Sequence, residues 1–369
     1  MTNNFNSLSL VVIFFIMPLV INAQTQKYSL LDFYKNDTRL DSLVDSVFNT
    51  MSEKERVSQM IITSAGENGK PDPTVERLIK NKMVGGVIFM KGGKETHKNR
   101  ANKFNRLASE SQSVPLLFSM DAEPSLLNRR IIGSPKVDDT YSIKTIEQCD
   151  AITHIINKEL RYIGIKHNYA PVLDISVGNA AIKKRSYGND PYKVRDLANV
   201  FIQNSQYNGI IATAKHFPGH GLVKGDTHTQ SVYIDGEMKE VENYQPIIDA
   251  GVLTIMVAHI VVKNNKSYST DGKPATLSRK IVTDLLKNKM NFKGLVITDA
   301  MNIMKAVTIY EDAPLQASKA GCDLLLMPKD EAKTINSILK EMSKSAPYKQ
   351  QVNESIKKIL RMKICAGLI

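Results

Sequence analysis

Cysteine is scarce in this chain: Cys149, Cys322 and Cys365 are the only three in 369 residues, and they lie far apart. An odd, scattered set excludes a disulfide framework and leaves room for a single bridge at most. Cys149 and Cys322 stand in apolar or helical surroundings and are expected as core thiols. Charge is missing altogether from residues 1–23. Their apolar run, residues 8–21, is short for a membrane span and is interrupted by Pro18. It ends in Ile21-Asn22-Ala23 before Gln24, a small-residue cleavage pattern, so residues 1–23 read as a secretory signal peptide. The leader departs from the usual pattern in having no Lys or Arg, and no cysteine stands near its end to take a lipid. No later segment is apolar enough to cross a bilayer, and no low-complexity linker divides the remainder. One domain over residues 24–369 is therefore expected, with no second one. Acidic residues are the minority, 37 against 49 Lys and Arg, for a net charge of +12. The excess lysine is spread through helical patterns at 333–349 and 357–363, which reads as solvated faces. Nucleic acid is accordingly not an expected partner.

Against these absences stands one dense block, Lys215-His216-Phe217-Pro218-Gly219-His220-Gly221, followed by Asp226-Thr227-His228. An apolar run, residues 209–214, leads into it and reads as a buried strand. Pro218, Gly219 and Gly221 stop regular structure, so the polar groups belong on a loop at the strand's C-terminal end. Titratable groups clustered on a loop behind a rigid strand are a usual arrangement for catalysis. A set of satisfied core histidines is the plain alternative. It suits His97, His154 and His167 singly, but the block would need many buried partners at once. Zinc is the sharper rival, since His216, His220, Asp226 and His228 are all permissible ligands. Their spacing matches no compact zinc motif, and Lys215 would set a positive charge beside the ion, so no metal is expected.

Short apolar runs recur at residues 57–62, 84–90, 114–120, 165–174, 210–214, 253–258, 295–297 and 322–327, mostly with amphipathic helical patterns between them. Eight such runs predict an α/β fold, a single (β/α)8 barrel of the triose-phosphate-isomerase type, irregular in its first strands. The run at 57–62 competes with an extension of the preceding helix. The residues at the C-terminal ends of the runs carry the chemistry. Asp121 and Glu123 come after the third, Asp174 ends the fourth, Lys215 and His216 come after the fifth, His259 after the sixth and Asp299 after the seventh. In a barrel these ends open on one face, so the residues converge there. A helix cap explains one such aspartate, but not five consecutive strand ends. Lys91-Gly92-Gly93-Lys94 lacks the upstream glycine of a phosphate loop and reads as a plain turn. Residues 356–368 read as a closing amphipathic helix.

At these residues the sequence resembles glycoside hydrolase family 3, and within it the NagZ-like β-N-acetylglucosaminidases. The resemblance runs through nearly all of residues 24–369. Its markers, in order, are Gly85-Gly86-Val87-Ile88-Phe89, Asp121-Ala122-Glu123, Ala170-Pro171-Val172-Leu173-Asp174, Arg185-Ser186-Tyr187-Gly188, the block from Lys215 to Gly221, Pro274-Ala275-Thr276-Leu277-Ser278, and the stretch 292–299 ending at Asp299. The Lys215–His228 stretch is the most specific. The family commonly continues the Asp121 motif with two glycines, whereas Pro124 and Ser125 come after Glu123 here, and Arg130 stands beside Arg129.

The resemblance implies a retaining exo-β-N-acetylglucosaminidase without cofactor, acting on a small carbohydrate or muropeptide, and with the leader it implies export to the periplasm. By motif position Asp299 matches the nucleophile, His228 the acid/base and Asp226 the carboxylate that orients His228. Asp121, Arg129, Arg185, Lys215 and His216 match the sugar-binding positions. The chemistry of the residue types agrees. Retention needs a carboxylate nucleophile and a proton donor on opposite sides of the glycosidic bond. Histidine, with an ordinary pKa of about 6.5, both gives and retakes a proton near neutrality. Gly221 and Gly225 bracket the Asp226–His228 segment, which suggests a flap completing the site around substrate. Two further readings stay open: a phosphorylase of the same glycosides, because a histidine acid/base leaves the site less anionic, and a non-catalytic sugar-binding protein of the same fold. A β-glucosidase fits less well, because many such relatives draw an acid/base glutamate from a second domain.

Overall fold

The computed structural model describes Met1, residues 28–175, Asn179, residues 181–223 and residues 231–369. The proposed leader after Met1, Gly225, Asp226 and His228 lie outside the described residues. Eight parallel strands carry the fold: β1 (Ile61–Ala65), β2 (Gly86–Phe89), β3 (Leu117–Met120), β4 (His167–Asn168), β5 (Ile211–Phe217), β6 (Thr254–Val257), β7 (Leu295–Thr298) and β8 (Leu325–Leu326). Their spatial order is β7-β6-β5-β4-β3-β2-β1-β8, so chain order and sheet order agree save where β8 returns beside β1. A parallel bridge between Ile297 and Leu324 joins the two ends of the sheet. The (β/α)8 expectation holds, and every one of the eight runs contributes a strand.

The first run is corrected in detail. Ser52 and Glu55 form a reciprocal capping box that starts the helix Glu53–Ser58, and this helix takes Val57. The strand begins only at Ile61, where all five residues are buried. β4 is shorter than the run at 165–174 because its register against β5 slips after Asn168, where the N–H of Thr213 donates to Ala170 O. Pairing resumes beyond it as a single bridge between Val172 and Lys215. Gly92–Gly93 is not a plain turn but a two-residue strand paired with Ile131–Ile132.

Packing explains which polar residues sit inside. Near the barrel axis His167 Nε2 lies 2.9 Å from Thr213 Oγ1 and 3.1 Å from Thr254 Oγ1, and burial pulls its pKa down to about 3. His97 is also buried, whereas His154 is exposed: the helix Ile146–Ile163 turns Cys149, Thr153, Ile156 and Leu160 inward and leaves His154 outside. All three cysteines are buried and free. The last helix, Ala346–Cys365, corrects the reading of a solvated face for one of its lysines, while Lys349 is exposed and Lys357 half-buried. Lys363 is fully buried, and its Nζ donates to Gln59 Oε1 (2.6 Å) and to the carbonyls of Gly85 (2.8 Å) and Pro115 (2.7 Å). Three acceptors use all three donors of an ammonium, which is what lets this lysine enter the core. Among the described residues no helix is long and apolar enough to cross a membrane.

Candidate active site

The C-terminal strand ends deliver charged side chains to one mouth, as the barrel topology requires. The mouth is a cavity of about 340 Å³ whose lining includes Asp121, Arg129, Arg130, Arg185, Lys215, His216, His220 and Asp299. β5 ends in Lys215-His216-Phe217, and the peptide bonds Lys215–His216 and Phe217–Pro218 are cis.

Lys215 is the centre of a charge ladder. Its Nζ lies 2.8 Å from Asp121 Oδ1 and 2.6 Å from Glu123 Oε1, with only 1% of its side chain exposed. Arg185 grips Glu123 with a fork, Nε to Oε2 at 2.8 Å and Nη2 to Oε1 at 2.6 Å. At the other end Arg130 Nη2 reaches Asp121 Oδ2 at 3.2 Å. Burial by itself raises both carboxyls, but the cations prevail. Lys215 and Arg130 hold Asp121 well below the carboxylate range, and Arg185 with Lys215 holds Glu123 down to about 2. The outcome is a fixed row of charged donors and acceptors along one wall, suited to the hydroxyl groups of a sugar.

A second carboxylate organises the histidines. Asp174 Oδ2 is 2.6 Å from His216 Nδ1, and its Oδ1 accepts the backbone N–H of His220 at 2.7 Å. His216 therefore turns Nε2 away from Asp174, and Arg185 Nη2 stands 3.4 Å from that nitrogen. A metal ion on Nε2 would face a guanidinium. Burial, overcome by His216, leaves Asp174 with a lowered pKa.

Asp299 comes directly after β7 on the facing wall, 9% exposed. Its own N–H donates to Val257 O at 3.0 Å, and Oδ1 accepts the N–H of Ala300 at 2.8 Å. His259, at the end of β6, does not line the cavity: it bridges Thr276 Oγ1 (2.8 Å) and Ala300 O (3.1 Å), bracing the turn after Asp299.

The structure thus brings Asp121, Arg185, Lys215, His216 and Asp299 together. Arg129 also lines the cavity, but Arg130 makes the ion pair with Asp121. Glu123 and Asp174 were legible only as strand ends; the same strand-end signal that marks Asp121 marks them as site residues. The Pro124-Ser125 departure leaves Glu123 in place. Ser125 Oγ donates to Lys184 O at 2.7 Å and accepts the N–H of Thr140 at 2.9 Å, tying this turn to the segment that presents Arg185. Gly221 is no hinge. A Cβ there would lie 1.9 Å from Ile175 O, so the glycine allows a close backbone crossing.

Comparison with known proteins converges on one group. The model of the glycosyl hydrolase family 3 N-terminal domain matches residues 52–362. A β-hexosaminidase of Nitrosomonas eutropha is 28% identical over 272 residues, covering 68% of this chain and 76% of its own length. The solved structure of a glycoside hydrolase family 3 β-N-acetylglucosaminidase from Paenibacillus sp. str. FPU-7 superposes with a TM-score of 0.78 at 27% identity, over 86% of this chain. This chain spans 63% of that structure's length. A β-N-acetylhexosaminidase from Beutenbergia cavernae shares the fold at a TM-score of 0.75 and 24% identity, with 84% of this chain and 98% of that one covered.

Proposed function

Because the chain belongs to glycosyl hydrolase family 3, whose N-terminal domain its residues 52–362 match, we propose that it removes terminal β-linked N-acetylglucosamine with retention of configuration. The observation that carries this reading is the pairing of two walls in one small cavity. On one stands the Lys215 ladder with four charged partners; on the other stands the Asp299 carboxylate. The likeness to proteins named β-hexosaminidase and β-N-acetylglucosaminidase supports the choice of sugar.

In this mechanism Asp121, Lys215, Arg185, His216 and the neighbouring Arg129 and Arg130 hold the sugar hydroxyls. Asp299 attacks the anomeric carbon, and the bond to the aglycone oxygen breaks as that oxygen takes a proton from His228. A covalent glycosyl–Asp299 ester results. His228, again a base, then takes a proton from water, whose oxygen attacks the same carbon and frees Asp299. Asp226 holds His228 in one tautomer and stabilises its imidazolium.

Parallel assays of aryl N-acetyl-β-glucosaminide and aryl β-glucoside test the reading, with products analysed in the presence and absence of phosphate. Preferential release from the N-acetyl substrate, giving free sugar in both conditions, is expected. Sugar 1-phosphate as the main product would replace hydrolysis by phosphorolysis, and sugar binding without turnover would leave a non-catalytic protein. The natural substrate in this reading is a peptidoglycan fragment met in the periplasm after removal of residues 1–23. N-terminal sequencing of protein from the native host should then begin at or near Gln24, and an intact Met1 on the soluble cytoplasmic protein would refute export.

A further inference from the structure

One buried carboxyl near the site has no part in the mechanism above. Glu240 lies on the short 3₁₀ turn Lys239–Asn243, downstream of the whole Lys215–His228 stretch, and is 3% exposed. Among the described residues no lysine or arginine forms an ion pair with it. Its oxygens are occupied by backbone instead: Oε1 accepts the N–H of Ile175 at 2.6 Å and Oε2 that of Leu222 at 3.1 Å. A carboxylate taken out of water without a cation is costly unless such hydrogen bonds satisfy it.

The two segments it joins are the ones that carry the histidine machinery. Ile175 is next in the chain after Asp174, the residue that aligns His216. Leu222 closes the Pro218–Gly221 turn, which contains His220, and precedes Asp226 by four residues in the chain. Both glycines of the turn are shaped to this junction. A Cβ on Gly219, whose φ is +131°, would come within 2.5 Å of Glu240 Cβ, and one on Gly221 would meet Ile175 O. Asp174 and Glu240 therefore act in series. Asp174 binds the His216 ring and the His220 N–H, while Glu240 binds the amide of Ile175, next after Asp174, and that of Leu222, two residues after His220. Nearby, Tyr244 packs edge-on against Phe217 at 5.0 Å, which fixes the turn bearing Glu240 to the end of β5.

From this geometry we propose that Glu240 is a positioning residue for the glycosidase reaction: it clamps the loops after β4 and β5 together and so sets the Asp174–His216 pair against the bound sugar. The proposal rests on the glycosidase reading for its kinetic consequence, but not for the clamp. Burial first, and then the neighbouring Asp174 carboxylate, push Glu240 up to about 8, consistent with a carboxyl kept for its anchoring bonds rather than for charge.

Glu240→Gln is nearly isosteric but turns an NH₂ group toward one of the two anchors, and Glu240→Asp keeps the carboxyl but is one methylene too short to span both. Each should lower kcat/KM by about tenfold to a hundredfold, mostly through a raised KM, and weaken competitive inhibition by free N-acetylglucosamine to match. Circular dichroism and size exclusion should show the same folded fraction as wild type. In hydrogen–deuterium exchange, the amides of Ile175 and Leu222 should lose protection in both variants while the barrel strands keep theirs. A merely structural role would instead lower kcat with the folded fraction and leave KM and inhibitor affinity alone, and that result would overturn the proposal. Unchanged exchange at these amides, or loosened amides with wild-type KM, would overturn it too. Absence of turnover by the wild type would retire the glycosidase reading by itself, and the exchange comparison would still decide the clamp.

Discussion

Replacing Asp299 by Ala should reduce turnover of an N-acetyl-β-glucosaminide by about a thousandfold or more, because the first covalent step loses its nucleophile. Asp299 makes no ion pair with a lysine or arginine among the described residues, and its backbone N–H bond to Val257 survives the substitution. Stability should therefore stay close to wild type, which separates a chemical loss from an unfolded one. A 2-fluoro analogue of the sugar with a good leaving group should trap the ester, and mass spectrometry should locate the label on a peptide containing Asp299. In His228→Ala the same ester should accumulate from activated aryl substrates, whose leaving groups depart without a proton while the attacking water has lost its base. Label on a different carboxylate, with near-normal turnover in Asp299→Ala, would remove Asp299 from the mechanism.

Lys215→Met should be the most damaging change in the charge ladder, because one ammonium serves two carboxylates, the buried Glu123 and the half-buried Asp121. Removing one partner of a buried pair costs about 3–5 kcal/mol, since the other charge stays in the interior uncompensated. Arg130 on Asp121 and Arg185 on Glu123 remain, so the loss should fall toward the lower end and the chain should still fold. Lys215→Arg should not rescue activity: a planar fork cannot take the place of a compact ammonium held 2.8 Å and 2.6 Å from two carboxylates. The pH dependence has a definite sign. Glu123 has its folded pKa lowered to about 2 from the ordinary 4.5, so its stabilising contribution is complete above the ordinary value and is lost as pH falls toward 2. Without Lys215 both carboxyls should titrate higher, and acid unfolding should begin at higher pH. Urea denaturation at neutral pH and across the acid range reads both effects. An unchanged acid profile in Lys215→Met would mean that the ladder does not tune these carboxyls.

Much of this site is legible in the chain itself. The apolar runs ending in Asp121, Lys215 and Asp299 are local signals, and a parallel barrel turns all strand ends toward one face, so convergence comes from topology alone. Pro218 and Gly219 likewise announce where β5 must stop. The finer assignments are less accessible. Arg129 and Arg130 are neighbours in the chain, and only the turn after Pro124-Ser125 decides that Arg130 is the one to reach Asp121. Glu123 and Asp174 are visible at strand ends, but their roles depend on Arg185 and His216, which arrive from other strand ends and loops.

The amino-acid sequence by itself determined the order and direction of the eight strands and the chemical types at their ends, because hydrophobic periodicity and chain-breaking residues act over a few positions. Tertiary structure alone decided which charge meets which. Lys215 and Asp121 are 94 residues apart, and Lys363 lies 304 residues from Gln59. Lysines of the same helix look alike in a hydropathy pattern, yet Lys363 is buried because three acceptors from three different segments converge on its ammonium. Glu240 is the same case with opposite sign: nothing in its neighbours Lys239 and Val241 marks it, and its place is given by the backbone amides of Ile175 and Leu222. Desolvation and pairing depend on distances in space, and those distances exist only once the barrel has closed.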